Sequence, residues 1–330
     1  MSRKPGSREF GRRALKIARI ATGRFKTVSF WDSFHGAGFG ASSIGGEQLF
    51  RSGAIGPLLP GAEHIPSFGA YRNPFGIDHR KEHPRDKEVG NLVASILRHT
   101  LERKGDVAAV IAEPNRAVPY IPPAGFWQQV RRACDDFGAL LVFDEIPTGL
   151  GKTGRMFACE YDQVVPDILV MGKALGGGIL PIAALLCRPG LDVAGDYAIG
   201  HYTHEKNPVT ARAALTTIEI IEDEGLVENA ARVGDWALER MNDMMDRLGL
   251  IGDVRGRGFL LGIELVTDRE TKEPARDAAE QVFYRALDKG LSFKISMGSV
   301  LTLTPPLVTT QDQMEEALSI LESSIAEVMN

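Results

Sequence analysis

The chain has 330 residues, of which 44% are hydrophobic and 25% charged, and this composition is typical of a globular protein with a large core. Its net charge of -5 at pH 7 gives no reason to predict a nucleic acid partner, and no apolar run approaches the length of a membrane span. Its 3 cysteines, Cys134, Cys159 and Cys187, lack metal-site spacing and are odd in number, so we predict no metal, no disulfide framework and a cytoplasmic location.

The first two thirds of the chain contain short runs of Val, Ile, Leu and Phe that predict strands, separated by helical or loop stretches. This alternation predicts an α/β fold with a doubly wound, mainly parallel sheet. Between Phe34 and Pro84 the chain is rich in Gly, Pro and His, which indicates a long functional loop region. The predicted strands are residues 27–30, 107–112, 140–143, 168–171 and 182–186.

After Pro208 the pattern becomes helical, and two more predicted strands, residues 259–265 and 300–303, follow. We therefore predict a large domain over residues 1–225 and a smaller C-terminal α+β domain over residues 226–330. Two amphipathic helices are predicted from apolar stripes, the first at Leu226, Ala230, Val233, Ala237, Met241, Met244 and Leu248, and the second at Met314, Leu318, Leu321, Ile325 and Val328.

Two polar side chains stand where predicted buried strands end, Asp144 after one strand and Lys173 after the next. Taken alone, the acid could cap a helix or bind a metal, and the lysine could be a solvated surface residue. Open α/β sheets, however, bind ligands at the carboxyl ends of their strands. A nucleophilic lysine and an ionised carboxylate are what pyridoxal phosphate requires, because the lysine forms a Schiff base with the cofactor and the acid keeps the pyridine nitrogen protonated.

The segments around these two residues resemble class III pyridoxal-phosphate-dependent aminotransferases. Residues 144–157, Asp-Glu-Ile-Pro-Thr-Gly-Leu-Gly-Lys-Thr-Gly-Arg-Met-Phe, are similar to the family's aspartate segment, and residues 173–182, Lys-Ala-Leu-Gly-Gly-Gly-Ile-Leu-Pro-Ile, to its cofactor-lysine segment. The similarity extends from about Ala14 to the C-terminus. The resemblance implies the type I fold of these enzymes, pyridoxal 5'-phosphate as cofactor, Lys173 and Asp144 as catalytic residues, and a homodimer with a shared active site.

The resemblance also implies contacts to the cofactor ring. Phe34, in Phe34-His35-Gly36, would stack on the ring unless it is a core aromatic, and His35 is either a base or a neighbouring structural residue. Ile146 would pack on the opposite ring face, since an extended backbone points it the same way as Asp144. Pro147 stands where the family commonly has Gln, so the bond to the phenolic oxygen must come from another group.

Two further cofactor contacts are implied outside these segments. Thr203 lies in a stretch that ends at Asn207-Pro208 and resembles the segment that reaches across the family's dimer interface, where it would bind the partner subunit's cofactor phosphate. Glu113 ends another predicted strand at the same sheet edge. It would orient the substrate or the ring, or else cap a helix.

The resemblance predicts transfer of an amino group from an amine to a keto acid. Thr302 stands where many members have the arginine that binds the substrate α-carboxylate, so we expect an ω-amine, an aminophosphonate or a phosphoamine as substrate. Relatives that act on the last two include ammonia-lyases, which remain an alternative. If an α-carboxylate is bound after all, Arg255 is the first cation to test, although its plain role, like that of Arg257, is packing and surface charge.

The N-terminus is basic and departs from the family, because a long segment expected before the helix at residues 14–21 is missing. Gly6-Ser7 stands near the place of the family's phosphate loop, and an organelle transit peptide is an alternative interpretation. We therefore predict an N-terminally truncated member, with an inactive homologue as a second alternative. The glycines at 149, 151 and 154 mimic nucleotide-binding motifs, but they do not follow a strand directly and lack a required glycine at position 146.

Overall fold

The computed structural model describes residues 10–80, 84–200, 203 and 205–329. Within these residues the chain forms eight α-helices and eleven strands. In chain order they are α1 (Phe10–Thr22), β1 (Lys26–Phe30), α2 (Phe39–Ile44), β2 (Ala62–Ile65), α3 (Asp86–Lys104), β3 (Val107–Ala112), α4 (Phe126–Phe137), β4 (Leu140–Asp144), β5 (Ile168–Met171), β6 (Ala184–Cys187), α5 (Pro208–Asp223), α6 (Leu226–Arg247), β7 (Ile251–Arg257), β8 (Leu260–Asp268), β9 (Glu273–Pro274), α7 (Arg276–Asp288), β10 (Lys294–Ser296), β11 (Val300–Leu303) and α8 (Gln311–Met329).

The first sheet has the strand order β2-β1-β3-β4-β5-β6, and every neighbouring pair is parallel except β5 and β6. Its central strands are buried on both faces, because successive side chains enter two different cores. Val110 and Leu141 pack in the core formed with α3 and α4, whereas Ile111 and Val142 pack in the core formed with α1. The predicted doubly wound, mainly parallel sheet is confirmed.

The second sheet is antiparallel, with the order β10-β11-β8-β7 and with β9 paired to β8. Its buried face packs against α6, α7 and α8. The apolar stripes that predicted the first and last of these helices are buried in this core from Ala230 to Met244 and from Met314 to Ile325. The domain boundary between residues 225 and 226 falls at the start of α6 and stays a proposal, since Leu226 itself packs in the first core.

Several elements were not predicted from the sequence or have different bounds. The region predicted as a long loop, residues 34–84, contains α2 and the edge strand β2. The strand predicted at residues 182–186 lies at Ala184–Cys187. Strand β7, with the sequence Ile-Gly-Asp-Val-Arg-Gly-Arg, has two glycines and three charged residues, which is a poor local strand pattern. It forms because its pairing with β8 satisfies its backbone along most of its length.

The glycines that mimic nucleotide motifs have a packing role. Gly154 has φ +82°, and a Cβ atom there would lie 2.8 Å from the Cα atom of Ala231 in α6. Only glycine permits this backbone conformation and this close approach of the turn after β4 to α6. Within the described residues, every helix is too short or too polar to span a bilayer.

Candidate active site

The carboxyl ends of three neighbouring parallel strands form one edge of the first sheet. Glu113 follows the last residue of β3, Asp144 ends β4, and Lys173 follows β5 after a single glycine. His35 lies beyond the carboxyl end of β1, which is parallel to β3. The fold therefore collects four titratable side chains at the edge where open α/β sheets bind their ligands.

Asp144 and His35 are both buried and contact each other directly. The Asp144 Oδ2 and His35 Nδ1 atoms are 2.9 Å apart, and because a carboxylate oxygen only accepts, Nδ1 carries the hydrogen. The Ile146 amide donates to Asp144 Oδ1 at 3.1 Å, because the chain turns after Glu145 instead of continuing extended as predicted. Two hydrogen bonds thus orient the carboxylate, while the His35 Nε2 atom has no partner among the described residues.

Glu113 is buried beside this pair. Its Oε2 atom has no hydrogen-bond partner within the described residues and lies 3.9 Å from the Arg116 Nε atom. Burial raises the pKa of Glu113, although the charge of Arg116 opposes the shift. An unpartnered carboxyl oxygen in a buried place indicates a group that hydrogen-bonds to a ligand or to water.

Lys173 begins a short 3-10 turn with φ +46°, a left-handed conformation that non-glycine residues rarely adopt. Strain of this kind concentrates at functional sites. Water reaches the side chain, but the protein around it reduces its solvation and lowers the pKa of Lys173. Glu113 and Asp144 oppose this shift, whereas the nearby charge of Lys294 adds to it.

A cavity of about 640 Å³ opens between the two sheets, and Lys173 lies in its wall. Lys152 and Lys294 belong to the same wall, and no acidic residue lines the described part of the cavity. Lys152 Nζ donates to the Pro305 carbonyl at 2.7 Å, and burial lowers the pKa of Lys152 to about 8. The rest of the lining includes Ala117, Ile146, Pro147, Thr217, Ile220, Leu260, Thr302, Thr304, Pro306 and Leu307.

Among the predicted cofactor contacts, Ile146 lines the cavity together with Lys173. Phe34 is half-buried, and its ring packs against Phe50 with a centroid distance of 4.5 Å and a 49° tilt, outside the cavity wall. Thr203 is an exposed turn residue. Gly6 and Ser7 lie outside the described residues.

Thr302 lies in the substrate cavity as expected, whereas Arg255 does not serve as the substrate-binding cation. Thr302 is buried in the cavity wall, and its hydroxyl donates to the Ser296 hydroxyl at 3.0 Å. Arg255 is not available to a substrate, because it forms ion pairs with Glu264 Oε2 at 2.8 Å and with the Asp253 carboxylate, and it donates to the Pro119 carbonyl at 2.7 Å. Among the described residues, the cationic side chains that line the cavity besides Lys173 are Lys152 and Lys294, which the sequence analysis did not propose.

The signal for these two lysines was weak. Lys152 lies within the family-like segment 144–157, between glycines that mimic a nucleotide-binding motif, and Lys294 lies in a three-residue strand with no motif around it. What places Lys294 in the site is the pairing of β10 with β11, where it stands opposite Thr302. Directly opposed residues of an antiparallel pair share a face of the sheet.

Comparison with known proteins agrees with this geometry. Residues 9–325 match the family described as Aminotransferase class-III. The chain belongs to this family. It superimposes with a TM-score of 0.89 on an amine transaminase from an uncultivated Pseudomonas species in its PLP-bound form, at 30% identity and with 97% of this chain and 76% of that chain covered. The fold is therefore that of the type I PLP-dependent transferases.

Curated relatives have diverse activities. The chain is 42% identical to the (R)-1-hydroxy-2-aminoethylphosphonate ammonia-lyase of Vibrio splendidus, over 98% of this chain and 69% of that protein. It is 39% identical to the leucine/methionine racemase of Thermococcus litoralis, over 96% of this chain and 70% of that protein. Membership of the family thus leaves the reaction open among transfer, elimination and racemisation.

The residues present fit pyridoxal phosphate. The Lys173 amine, with its lowered pKa, faces a cavity large enough for a cofactor and a small substrate. The buried Asp144 carboxylate lies at the neighbouring strand end, and His35 Nε2 and Glu113 Oε2 keep unused hydrogen-bonding capacity beside it. These groups match an aldehyde, a ring nitrogen and other polar ring substituents, respectively.

Proposed function

We propose that this chain is a pyridoxal-phosphate-dependent ammonia-lyase that acts on an amine carrying a phosphonate or phosphate group. The observation that carries the proposal is the charge of the cavity, where three lysines and no acidic residue line the described wall. Such a wall suits a dianionic substrate. The relative from Vibrio splendidus, named for its action on an aminophosphonate, supports the same class of substrate.

Two residues would carry the chemistry. When bound, the cofactor would supply an electron-poor ring that withdraws electrons from the substrate carbon. Lys173 would hold the cofactor and move a proton to and from the substrate, and its lowered pKa favours the neutral amine that both tasks need. Asp144, oriented by the Nδ1–H group of His35, would hold a proton on the ring nitrogen.

The remaining predicted contacts belong to the same proposal. Ile146 would pack on the ring, since it lines the cavity, and Glu113 would bond a polar ring substituent through its unpartnered oxygen. Phe34 packs against Phe50, and from this position it would stack on the ring. We further propose that the chain forms a homodimer in which Thr203 reaches the partner subunit's cofactor phosphate, and that it is cytoplasmic.

An aminotransferase that moves the amino group of an amine to a keto acid is the second candidate. It is supported by the similarity to an amine transaminase structure at 30% identity. Elimination and transfer would both use Lys173 and Asp144, so the distinction depends on what happens to the nitrogen. The first releases ammonia, and the second passes the amino group to a keto acid.

The test measures ammonia release from the purified chain supplied with pyridoxal phosphate. We expect 2-aminoethylphosphonate or its 1-hydroxy derivative to release ammonia without pyruvate, and faster than ω-amines or α-amino acids. Lys173→Ala should lose both the near-visible absorbance of the bound cofactor and the release of ammonia. Lys87→Ala, which truncates an exposed lysine of α3, should keep both.

Other results of this assay would identify a different activity or contradict the proposal. Loss of the amino group only in the presence of pyruvate would identify an aminotransferase. Racemisation of an α-amino acid, or fastest turnover of α-amino acids, would contradict the substrate class. A cofactor-loaded chain that converts none of these amines would be an inactive homologue, and a chain that never acquires the near-visible band would refute the cofactor itself.

A further inference from the structure

Lys294 is the least engaged of the three cavity lysines. Its side chain is exposed to the cavity, and among the described residues no acidic group pairs with it. Lys152, by contrast, is held by the Pro305 carbonyl, and Lys173 is assigned to the cofactor aldehyde. The Lys294 amine has three N–H donors and no ion-pair or hydrogen-bond partner among the described residues, so it is free to contact a ligand in the cavity.

The position of Lys294 is set by the small sheet. It pairs with Thr302 across β10 and β11, so the two side chains lie on the same face of the sheet and both line the cavity. Thr304, two residues after Thr302, lines the cavity as well. A strand pair of a packed sheet holds these groups in place more firmly than a loop would.

Lys294 and Lys173 line the same cavity. A substrate whose amine reacts at Lys173 therefore shares the cavity with a second cation. A lysine acts as a point charge with three donors, so it is attracted more strongly by a phosphonate or phosphate dianion than by a carboxylate monoanion. The only arginine proposed for the substrate, Arg255, is held by Glu264, Asp253 and Pro119.

We propose that Lys294 binds the phosphonate or phosphate group of the substrate amine and so determines the preference for dianionic substrates. Lys152 lies in the same wall and would add a second, weaker positive field, and Thr304 would add a hydroxyl donor. The inference rests on the proposed function, because it assumes that the substrate amine reacts at Lys173. The cofactor's own phosphate has the same chemistry, so the test must separate the two.

The test compares amines of similar length that differ in their second group. Binding of 2-aminoethylphosphonate, β-alanine and propylamine is followed through the near-visible absorbance of the cofactor-loaded protein. Lys294→Met keeps the length of the side chain without its charge, Lys294→Arg keeps the charge, and Lys87→Met removes an exposed charge far from the cavity. Because Lys294 is exposed, none of these changes disturbs the core.

We expect Lys294→Met to weaken binding of 2-aminoethylphosphonate by roughly 10- to 100-fold, which corresponds to the loss of a charge-assisted hydrogen bond. Binding of propylamine should not change, and Lys294→Arg should recover much of the lost affinity. Lys87→Met should behave as the unmodified chain. Equal losses for all amines, no loss for any, or a preference of the unmodified chain for β-alanine would overturn the inference.

The cofactor is examined separately by comparing the affinities for pyridoxal phosphate and for pyridoxal. If Lys294→Met weakens only the former, Lys294 serves the cofactor phosphate and the inference is wrong. If the unmodified chain never takes up cofactor, the proposed function fails instead. In that case phosphorus NMR measures binding of methylphosphonate to the cofactor-free chain. Methylphosphonate should bind the unmodified chain and not Lys294→Met. If it binds neither protein, the role of Lys294 is refuted.

Discussion

Asp144 shows how a single residue is prepared for a function by its neighbours. The acid ends a buried strand, receives one hydrogen bond from His35 and another from the Ile146 amide, and is thereby fixed in one orientation. A carboxylate held in this way is suited to bind a protonated ring nitrogen. Replacing Asp144 with asparagine removes this negative charge and keeps the shape of the side chain.

Asp144→Asn should bind pyridoxal phosphate but lose turnover, because a neutral amide cannot hold a proton on the ring nitrogen. The lost charge-assisted hydrogen bond corresponds to a decrease of roughly 10- to 100-fold in kcat. Cofactor absorbance and steady-state rates measure the two effects separately. Asp106→Asn, at the opposite end of β3 and paired with Lys26, is the control. Near-normal turnover of cofactor-loaded Asp144→Asn would refute the assignment.

Strand β8 shows how an element joins the two halves of the molecule. Its residue Glu264 is buried, accepts a hydrogen bond from Arg72 in the segment before α3, and forms an ion pair with Arg255 of β7 at 2.8 Å. Arg255 in turn bonds the Pro119 carbonyl, in the segment after β3, at 2.7 Å. The charges of this network compensate one another inside the protein, so removal of one leaves another uncompensated.

Glu264→Gln should therefore lower the free energy of unfolding by about 3 kcal/mol, at the lower end of the range for broken buried pairs because Asp253 still contacts Arg255. Urea denaturation followed by circular dichroism measures the change. Glu270→Gln is a matched control, since that exposed carboxylate pairs with Arg80 on the surface and should matter far less. Equal effects of the two substitutions would show that the network does not stabilise the fold.

The whole molecule leaves an apolar surface beside the cavity. Val209 and Leu215 of α5 are 64% and 48% exposed, and Ile179, after the turn that begins at Lys173, is 83% exposed. Helix α5 packs on that turn. The homodimer proposed above would cover exposed apolar side chains of this kind.

We expect the chain to sediment as a dimer and Leu215→Lys to shift it toward the monomer. Cofactor affinity should fall with the dimer, because Thr203, which precedes α5, is proposed to serve the partner subunit. Analytical ultracentrifugation and a cofactor titration at the same protein concentrations measure both. Leu287→Lys on α7, which alters a similarly exposed leucine of the smaller sheet's helices, is the control. A monomer with full cofactor affinity would contradict the prediction.

The sequence by itself determined most of the first sheet and the central pair of residues. Strands β3 and β5 of this sheet begin and end where predicted, because apolar runs flanked by polar or Gly residues mark strands buried on both faces. Asp144 and Lys173 were found for the same reason, since a charged residue at or just after the end of such a run stands out locally. The resemblance of their segments to a family then predicted the fold.

Only the tertiary structure decided what surrounds that pair. His35 meets Asp144 across 109 positions of sequence, Arg255 is withdrawn from the cavity by Glu264, and Lys294 enters it opposite Thr302. Strand register and the packing of distant segments set each of these contacts, and neither leaves a periodic pattern in the local sequence. The charge of the cavity, and with it the proposed substrate class, is therefore a property of the folded chain.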